Sequence, residues 1–312
     1  DHLDISDGID ASLAFLDIIS NNVPEEERIK IRKDLELKRD LLKFILISAY
    51  EEGLLIGYLL ISVNSPNIGL IWDWQPVTLS DSNNGGVSEK ILRKTIDFSK
   101  LRGINRIEVC FPIINDLDKH RYLKYIKWYE SIGFYHVHRE VEMKLTLEDR
   151  KVGVSSFPKE VKIKSIKDFS INDLANNAYE IFNDSKDAMF LDQDEEQKHR
   201  STKDYFNPSK PLIEDASIVL TANGQVIGFS VARYSTFEGS DVTIGPFGIT
   251  PNFRSKGLGE VLLIFCLNRL AENGFKCVSL DVSTENKPAY KLYKKVGFKK
   301  IFETFILAFN CK

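Results

Sequence analysis

The sequence lacks the features that mark several special classes of protein. Its 312 residues include only 4 cysteines, 10 prolines and 18 glycines, which argues against collagen-like, low-complexity and disulfide-rich proteins. No apolar run reaches the roughly 18 residues that a membrane helix needs. Lysine and arginine (42) nearly balance aspartate and glutamate (45), so no excess of positive charge would collect nucleic acid. The composition predicts a globular protein with neither a nucleic-acid nor a membrane partner.

The N-terminus and the cysteines indicate a cellular compartment. The first four residues, DHLD, have neither the basic nor the apolar region of a signal peptide. The four cysteines are Cys110, Cys266, Cys277 and Cys311. Because none of them has C-x-x-C spacing, buried reduced thiols are favoured over disulfides or zinc ligands. His136 and His138 alternate along a strand without an evident third ligand. We therefore expect a cytoplasmic protein with no metal.

A repeat relates the two halves of the chain. Three pairs of segments match in the same order: 51–58 with 222–229, 86–89 with 257–260, and 127–134 with 291–298. Such ordered self-similarity predicts a duplicated domain. Residues 151–160 contain Gly153 and Pro158 and lack periodicity, which is typical of a linker. The predicted domains are therefore residues 1–150 and 161–312.

One loop of the second half has the chemistry of an anion site. Its sequence is Arg254-Ser255-Lys256-Gly257-Leu258-Gly259, between a predicted strand at 241–250 and a predicted helix at 258–273. The first amides of a helix lack internal acceptors and lie at the positive end of its dipole, so a pyrophosphate can bind there. Glycines at 257 and 259 let phosphate oxygens approach the backbone, and Arg254 and Lys256 add charge. Taken alone, such a loop is more often just a turn.

Two motifs together resemble the signature of the GNAT acyltransferase superfamily. Residues 254–259 fit its Arg/Gln-x-x-Gly-x-Gly/Ala motif, and residues 286–298 (NKPAYKLYKKVGF) look like Asn-x-x-Ala-x-x-Leu-Tyr-x-x-x-Gly-Phe. The resemblance covers about residues 160–310. It implies an α/β fold of two tandem GNAT-like domains, each a mixed, mostly antiparallel twisted sheet flanked by helices. It also implies acetyl-CoA as co-substrate and transfer of its acetyl group to a primary amine of a small molecule or peptide.

The resemblance implies a role for each matching position. The backbone of Phe247, Gly248 and Ile249 would pair with the pantetheine arm, and the strand after helix 258–273 would splay away to admit it. Asn286 and Ala289 would line the thiol end. The cofactor loop would comprise Arg254, Ser255, Lys256, Gly257, Leu258 and Gly259.

Tyr293 is the predicted general acid, because the resemblance places a tyrosine beside the sulfur and a phenol can protonate a departing thiolate. The alternative is a tyrosine that packs only through its ring. A backbone N–H near Ile249 would meet the oxyanion.

The first half resembles the same fold with an eroded motif. Asn83 stands where Arg254 does and Ser88 where Gly259 does, while Gly86 is retained. A serine restores a Cβ where phosphate must approach, and asparagine supplies no charge. We expect weak or absent cofactor binding in this half. Tandem architecture with one working half resembles the mycothiol synthase family.

The acceptor and the base stay open at this stage. Four carboxylates are possible bases: Asp281, Glu285, Glu238 and Asp241. Each is more often a solvated surface group than a base, and a water chain could replace all of them. The acidic segment 184–196 would suit a cationic amine, although Asp192 and Asp194 could instead cap a helix. A non-catalytic acyl-CoA sensor or interaction protein is the alternative function. Tyr293 favours catalysis, because binding alone has no use for a proton donor.

Overall fold

The computed structural model describes residues 2–7, 25, 29, 43–64, 68–72, 76–78, 85–147, 157–207, 209–235 and 239–312. Asn83, Glu238 and most of the predicted linker lie outside these residues. The chain divides into two compact units. The first comprises Asp1–His136 with Phe305–Lys312, and the second comprises Val137–Thr304.

The first unit contains a mostly antiparallel sheet and two described helices. Its strands are β1 (His2–Asp7), β2 (Lys43–Glu51), β3 (Leu54–Asn64), β4 (Ile68–Ile71), β5 (Val77–Thr78) and β6 (Arg106–Ile113), joined by the end of β13 (Lys299–Asn310). The order is β1-β2-β3-β4-β6-β13, with β5 beside β3. Helices α1 (Gly85–Leu101) and α2 (Asp116–Ile132) lie in this unit. Helix α2 begins at a capping box formed by Asn115 and Asp118 and ends at the left-handed Gly133.

The second unit repeats this plan with more helices. Its strands are β7 (Tyr135–Thr146), β8 (Val161–Ser165), β9 (Ile218–Ala222), β10 (Gln225–Tyr234), β11 (Val242–Ile249) and β12 (Cys277–Ser283), in the order β7-β12-β11-β10-β9-β8. Its helices are α3 (Ile171–Asn183), α4 (Ala188–Leu191), α5 (Glu195–Asp204), α6 (Leu258–Glu272) and α7 (Lys287–Val296). Both units contain a hairpin, then a strand, a helix, a strand and a helix, as the repeat predicts. None of the described helices is long and apolar enough to cross a membrane.

The units differ from the sequence-based domains of 1–150 and 161–312, because the last strand of each half joins the unit formed by the other half. Strand β7 pairs with β12 from Cys277 opposite Thr146 to Ser283 opposite Glu140. The end of β13 lies in the first unit, where Cys311 N–H donates a 2.9 Å hydrogen bond to the carbonyl of Asn105. The folded units are therefore not the consecutive halves of the chain.

The sheet of the second unit is buried on both faces. Helix α6 packs Leu263 and Leu267 against Met143 of β7 and Leu280 of β12. Helix α3 packs in a separate apolar cluster, in which its Ile181 lies with Phe229 and Val231 of β10. Side chains alternate between the faces of a strand. The residues of β7 and β12 between these apolar positions therefore point away from α6, and they are polar.

Candidate active site

Strands β11 and β12 part near the middle of the second unit. Their parallel pairing includes only Val242 with Val278 and Thr243 with Ser279. The hydroxyl oxygens of Thr243 and Ser279 lie 3.1 Å apart at the last paired position. Beyond it, β11 stays paired with β10 as far as Ile249. The result is a V-shaped opening with one free edge of β11, which is the splay that the family resemblance implies.

The backbone of Phe247 and Ile249 faces this opening. Thr250 N–H donates a 2.9 Å hydrogen bond to the carbonyl of Ile227, the residue before Gly228 on β10. Backbone groups of successive strand residues point in opposite directions, so the groups of Phe247 and Ile249 point away from β10. The free edge can therefore pair with an extended ligand.

Arg254 fixes the loop that follows this strand. Its Nε donates to the carbonyl of Ile249 at 2.9 Å, and its Nη2 donates to the carbonyl of Ile181 at 2.8 Å. Its Nη1 donates to the carbonyl and to the Oδ2 of Asp184, at 2.8 and 2.7 Å. The guanidinium joins the end of β11 to the end of α3. Arg254 therefore shapes the loop, and its charge is already paired rather than free at the mouth.

The residues after Arg254 present consecutive backbone amides. Ser255 and Gly257 have left-handed φ values of 59° and 79°, and α6 begins without a side-chain cap. Within the described parts of the chain, no group accepts a hydrogen bond from the amides of residues 255–259, and the next amide, of Glu260, donates to the carbonyl of Gly257. Five free amides at the positive end of a helix form a site for an anion such as a pyrophosphate.

The three glycines of the predicted site have different surroundings. A Cβ on Gly257 would meet no atom within 4 Å, so the space above this amide is open. A Cβ on Gly259 would lie in ordinary contact, 3.5 Å from Leu292. A Cβ on Gly248 would lie 2.4 Å from Cγ2 of Ile181, so this glycine allows α3 to approach β11. Lys256 extends along the loop with its Nζ 5.0 Å from the ring centroid of Phe253.

Helix α7 places Tyr293 beside the free edge of β11. Asn286 is its N-cap and accepts a 3.3 Å hydrogen bond from the N–H of Ala289. The Tyr293 ring is buried and packs edge-on against Phe247, with 6.2 Å between ring centroids. No described group forms a hydrogen bond with its hydroxyl. Burial, together with the negative charge of Asp187, raises the pKa of Tyr293, so this phenol stays protonated at neutral pH.

Carboxylates cluster on the polar face of β7 and β12. Asp281 lies directly opposite Glu142 in the antiparallel register, and Ser283 lies opposite Glu140, so the three carboxylates share one face. A fourth carboxylate belongs to Asp187, which precedes α4. It accepts a 3.1 Å hydrogen bond from the N–H of Phe190, the third residue of that helix. We call Glu140, Glu142, Asp187 and Asp281 the acidic wall.

Three carboxylates of the acidic wall, Glu142, Asp187 and Asp281, have a raised pKa. Burial, followed by the charges of Glu140 and Glu142, raises the pKa of Asp281 to about 7. Asp281 nevertheless keeps contact with solvent. Burial is also the main cause that raises the pKa of Asp187 and of Glu142. Asp281 can therefore exchange a proton near neutral pH.

The other described candidates for the base are Asp241, which holds backbone N–H groups, and Glu285, which is exposed. Asp241 accepts hydrogen bonds through Oδ2 from the N–H groups of Lys276 and Cys277, at 2.7 and 2.9 Å, and these bonds lower its pKa. Glu285 is exposed and accepts a 3.4 Å hydrogen bond from the hydroxyl of Thr284. Asp281 is therefore the best placed of these three carboxylates.

Most acidic residues of segment 184–196 cap helices or form ion pairs, whereas Asp187 belongs to the acidic wall. Asp194 caps α5 through the N–H of Gln197, and Glu196 pairs with Arg200, so the helix-capping alternative holds there. Asp192 follows α4 as its C-cap. Asp187 alone among the acidic residues of this segment belongs to the acidic wall.

Sequence reasoning missed the contribution of β7. The alternation of His138, Glu140, Glu142 and Lys144 along a strand with apolar residues between them is a detectable signal of one polar face. The connection to Asp281 was hidden, because it depends on the pairing of β7 with a strand more than a hundred residues later.

Comparison with known proteins places these features in a family. Residues 176–298 match the Acetyltransferase (GNAT) family. Mycothiol acetyltransferase of Paenarthrobacter aurescens (strain TC1) is 30% identical over 102 residues, which are 32% of this chain and 30% of that protein. The protein of the same name from Pseudarthrobacter chlorophenolicus is 30% identical over 104 residues, 32% of this chain and 31% of that protein. The chain thus matches less than a third of the length of these relatives.

Solved structures share the fold over nearly the whole chain. The GCN5-related N-acetyltransferase from Sphaerobacter thermophilus has a TM-score of 0.60 at 14% identity and covers 91% of this chain and 86% of that chain. A tandem GNAT protein from the clavulanic acid biosynthesis pathway has a TM-score of 0.59 at 11% identity and covers 100% and 99%. At such low identities the structural likeness shows the fold alone, and it confirms the predicted fold class. Residues 176–298 therefore match the Acetyltransferase (GNAT) family, within a chain that has the fold of tandem GNAT proteins.

Proposed function

We propose that this protein is an N-acetyltransferase that transfers the acetyl group of acetyl-CoA to a primary amine of a small molecule or peptide. One observation carries the proposal: five consecutive amides, of residues 255–259, have no acceptor in the described chain and lie at the end of the free edge of β11. An anion site next to an unpaired strand edge matches two adjoining parts of coenzyme A, its pyrophosphate and its pantetheine arm with two amides.

In this proposal the cofactor residues divide the ligand between them. The amides of Ser255, Lys256, Gly257, Leu258 and Gly259 bind the pyrophosphate, and Arg254 holds the loop in shape. The backbone of Phe247 and Ile249 pairs with the pantetheine arm, while Gly248 gives α3 its place behind the strand. Asn286 and Ala289 start the helix that lines the thiol end.

Acyl transfer also requires proton movements, which two residues would perform. The amine nitrogen attacks the thioester carbonyl carbon, the carbon–sulfur bond breaks, and an amide and a thiol form. Asp281 takes the proton that the amine loses, and Tyr293 gives a proton to the sulfur. Making a lysine-like amine neutral at pH 7 costs about 4.6 kcal/mol, since its ordinary pKa is about 10.4. A carboxylate near the amine with a pKa of about 7 is therefore a useful proton acceptor.

Thiol release tests the proposal against a coenzyme A sensor. The full chain is incubated with acetyl-CoA and pooled primary amines, and free thiol is measured over time. We expect release well above buffer and a fall of about 100-fold in Tyr293→Phe, the size typical of general-acid catalysis. Tyr290→Phe, on the same helix, is the matched control and should keep the rate. Tight acetyl-CoA binding without release from any amine would contradict the enzyme and favour the sensor.

A further inference from the structure

Two members of the polar face of β7 are buried, and each has a side-chain atom without a hydrogen-bond partner among the described residues. Glu142 is 6% exposed, and its Oε2 has no hydrogen-bond partner among the described residues. His138 is 3% exposed, and neither ring nitrogen forms a hydrogen bond with a described group. Buried polar groups in native proteins are nearly always paired with protein, water or a ligand. These two side chains therefore mark a place where a polar ligand can complete the structure.

The charge of the surrounding groups indicates the sign of that ligand. The acidic wall provides four carboxylates, and Glu140 lies close enough to both Asp187 and Asp281 to raise the pKa of each. The cationic groups on the same face of β7 are Lys144 and, when protonated, His138, whose Nε2 lies 3.5 Å from Oε1 of Glu140. The face therefore has more carboxylates than cations to pair with them.

Lys198 of α5, a buried cation on a neighbouring helix, is already paired with Glu195. Asp187 and Asp204, together with Glu140, raise the pKa of the buried Tyr205 beyond the effect of its burial, so this phenol faces negative groups as well. The Asp204 carboxylate is itself paired with Lys210. A single reacting amine at Asp281 would leave Oε2 of Glu142 without a partner and Glu140 with only its contact to His138.

We propose that the acetyl acceptor is a diamine, with one primary amine at Asp281 and a second cationic amine bound by Glu140 and Glu142 at the buried end of the acidic wall. This inference rests on the acetyl transfer proposed above. Each charge-assisted hydrogen bond from an ammonium to a carboxylate is about twice as strong as a neutral one, so the second amine adds affinity and orients the first. An acceptor with a carboxylate beside its amine would be repelled.

Putrescine and butylamine test the proposal, because they differ only by the terminal amine. Calorimetry on the full chain saturated with coenzyme A measures their binding without any transfer, and initial rates with acetyl-CoA measure kcat/KM. We expect putrescine to bind at least about tenfold more tightly, and to exceed butylamine by a similar factor in kcat/KM, as for a hydrogen bond to a charged group. Glu142→Gln should reduce this preference at least about fivefold.

Controls separate this proposal from the proposed transfer. Glu272→Gln, which removes an exposed partner of Arg269 on α6, should keep the preference for putrescine. Glu140→Gln repeats the test at a half-buried position, should Glu142→Gln fail to fold. Equal binding of the two amines, or a preference that both wall variants retain, would overturn the diamine site. A preference in binding without thiol release would support the site and contradict acetyl transfer.

Discussion

The Nε of Arg254 donates a 2.9 Å hydrogen bond to the carbonyl of Ile249, the last residue of β11. This bond fixes the point at which the strand edge becomes the loop of free amides. The same guanidinium also donates to the carbonyls of Ile181 and Asp184, at the end of α3. One side chain therefore sets the position of three parts of the proposed cofactor site.

Arg254→Lys should destabilise the protein although it keeps the positive charge. A lysine ammonium cannot reach three carbonyls in the fork geometry of a guanidinium, so buried acceptors are left unsatisfied. The expected loss is about 1–3 kcal/mol in the free energy of unfolding, measured in urea. Lys256→Gln, in the same loop, removes only a contact with the Phe253 ring and should change stability by less than about 0.5 kcal/mol. Equal losses in the two variants would contradict the anchoring role.

Gly248→Ala should destabilise the second unit, because its Cβ would lie 2.4 Å from Cγ2 of Ile181. Overpacking of this kind costs about 1–3 kcal/mol. Gly245→Ala is the matched control on the same strand, since a Cβ there meets no atom within 4 Å. Combining Gly248→Ala with Ile181→Ala should cost less than the sum of the two single changes. Additive costs would show that the two positions do not meet.

Asp281→Asn and Asp241→Asn should change stability with opposite dependence on pH. The pKa of Asp281 is raised to about 7 in the folded protein, against about 3.9 when unfolded, so its stabilising contribution is present below pH 4 and is lost as the pH rises through 7. Asp281→Asn should therefore gain melting temperature, relative to the wild-type protein, as the pH rises from 4 to 8.

The pKa of Asp241 is lowered by the backbone N–H groups of Lys276 and Cys277, so its contribution is present above pH 4 and is lost in acid. Asp241→Asn should therefore lower the melting temperature most at neutral pH. Melting curves between pH 3 and 8 measure both variants. Parallel curves for the two variants would contradict the assignment of Asp281 to the acidic wall and of Asp241 to a structural cap.

Acetyl transfer should rise with pH as Asp281 loses its proton. The base form of Asp281 accumulates above its pKa of about 7, while the buried Tyr293 stays protonated over the same range. The pH profile of kcat/KM should therefore show an ascending limb near pH 7 that is absent in Asp281→Asn. An unchanged ascending limb in this variant would assign the ionisation to another group or to the substrate.

The sequence predicted what depends on neighbouring residues. The strand, loop and helix around residues 242–272 follow from local periodicity and from two glycines, and the structure has them within a residue or two. The repeat predicted the shared plan of the two units. Asn286 and Ala289 were expected to line the thiol end, and the structure places them at the start of α7, where Asn286 accepts a hydrogen bond from the N–H of Ala289.

The remainder depends on contacts between distant residues. Arg254 looks like free charge in the sequence, because two of its three acceptor residues lie 70 and 73 residues earlier in the chain. Glu140 and Glu142 belong to the first half of the repeat, yet their strand pairs with β12. The same exchange of terminal strands moved the unit boundaries away from the predicted linker. Non-local pairing of this kind leaves no short-range periodicity to detect.

The most direct test of the account is the affinity of coenzyme A for Gly257→Ala and Gly274→Ala, measured by calorimetry. Both glycines have left-handed backbones, with φ of 79° and 81°, both have open space at the Cβ position, and they lie at opposite ends of α6. Each alanine should therefore cost a similar amount of stability, about 1 kcal/mol. The account predicts that only Gly257→Ala weakens coenzyme A binding, by at least about tenfold. Equal affinity in the two variants, or no binding by the wild-type protein, would contradict it.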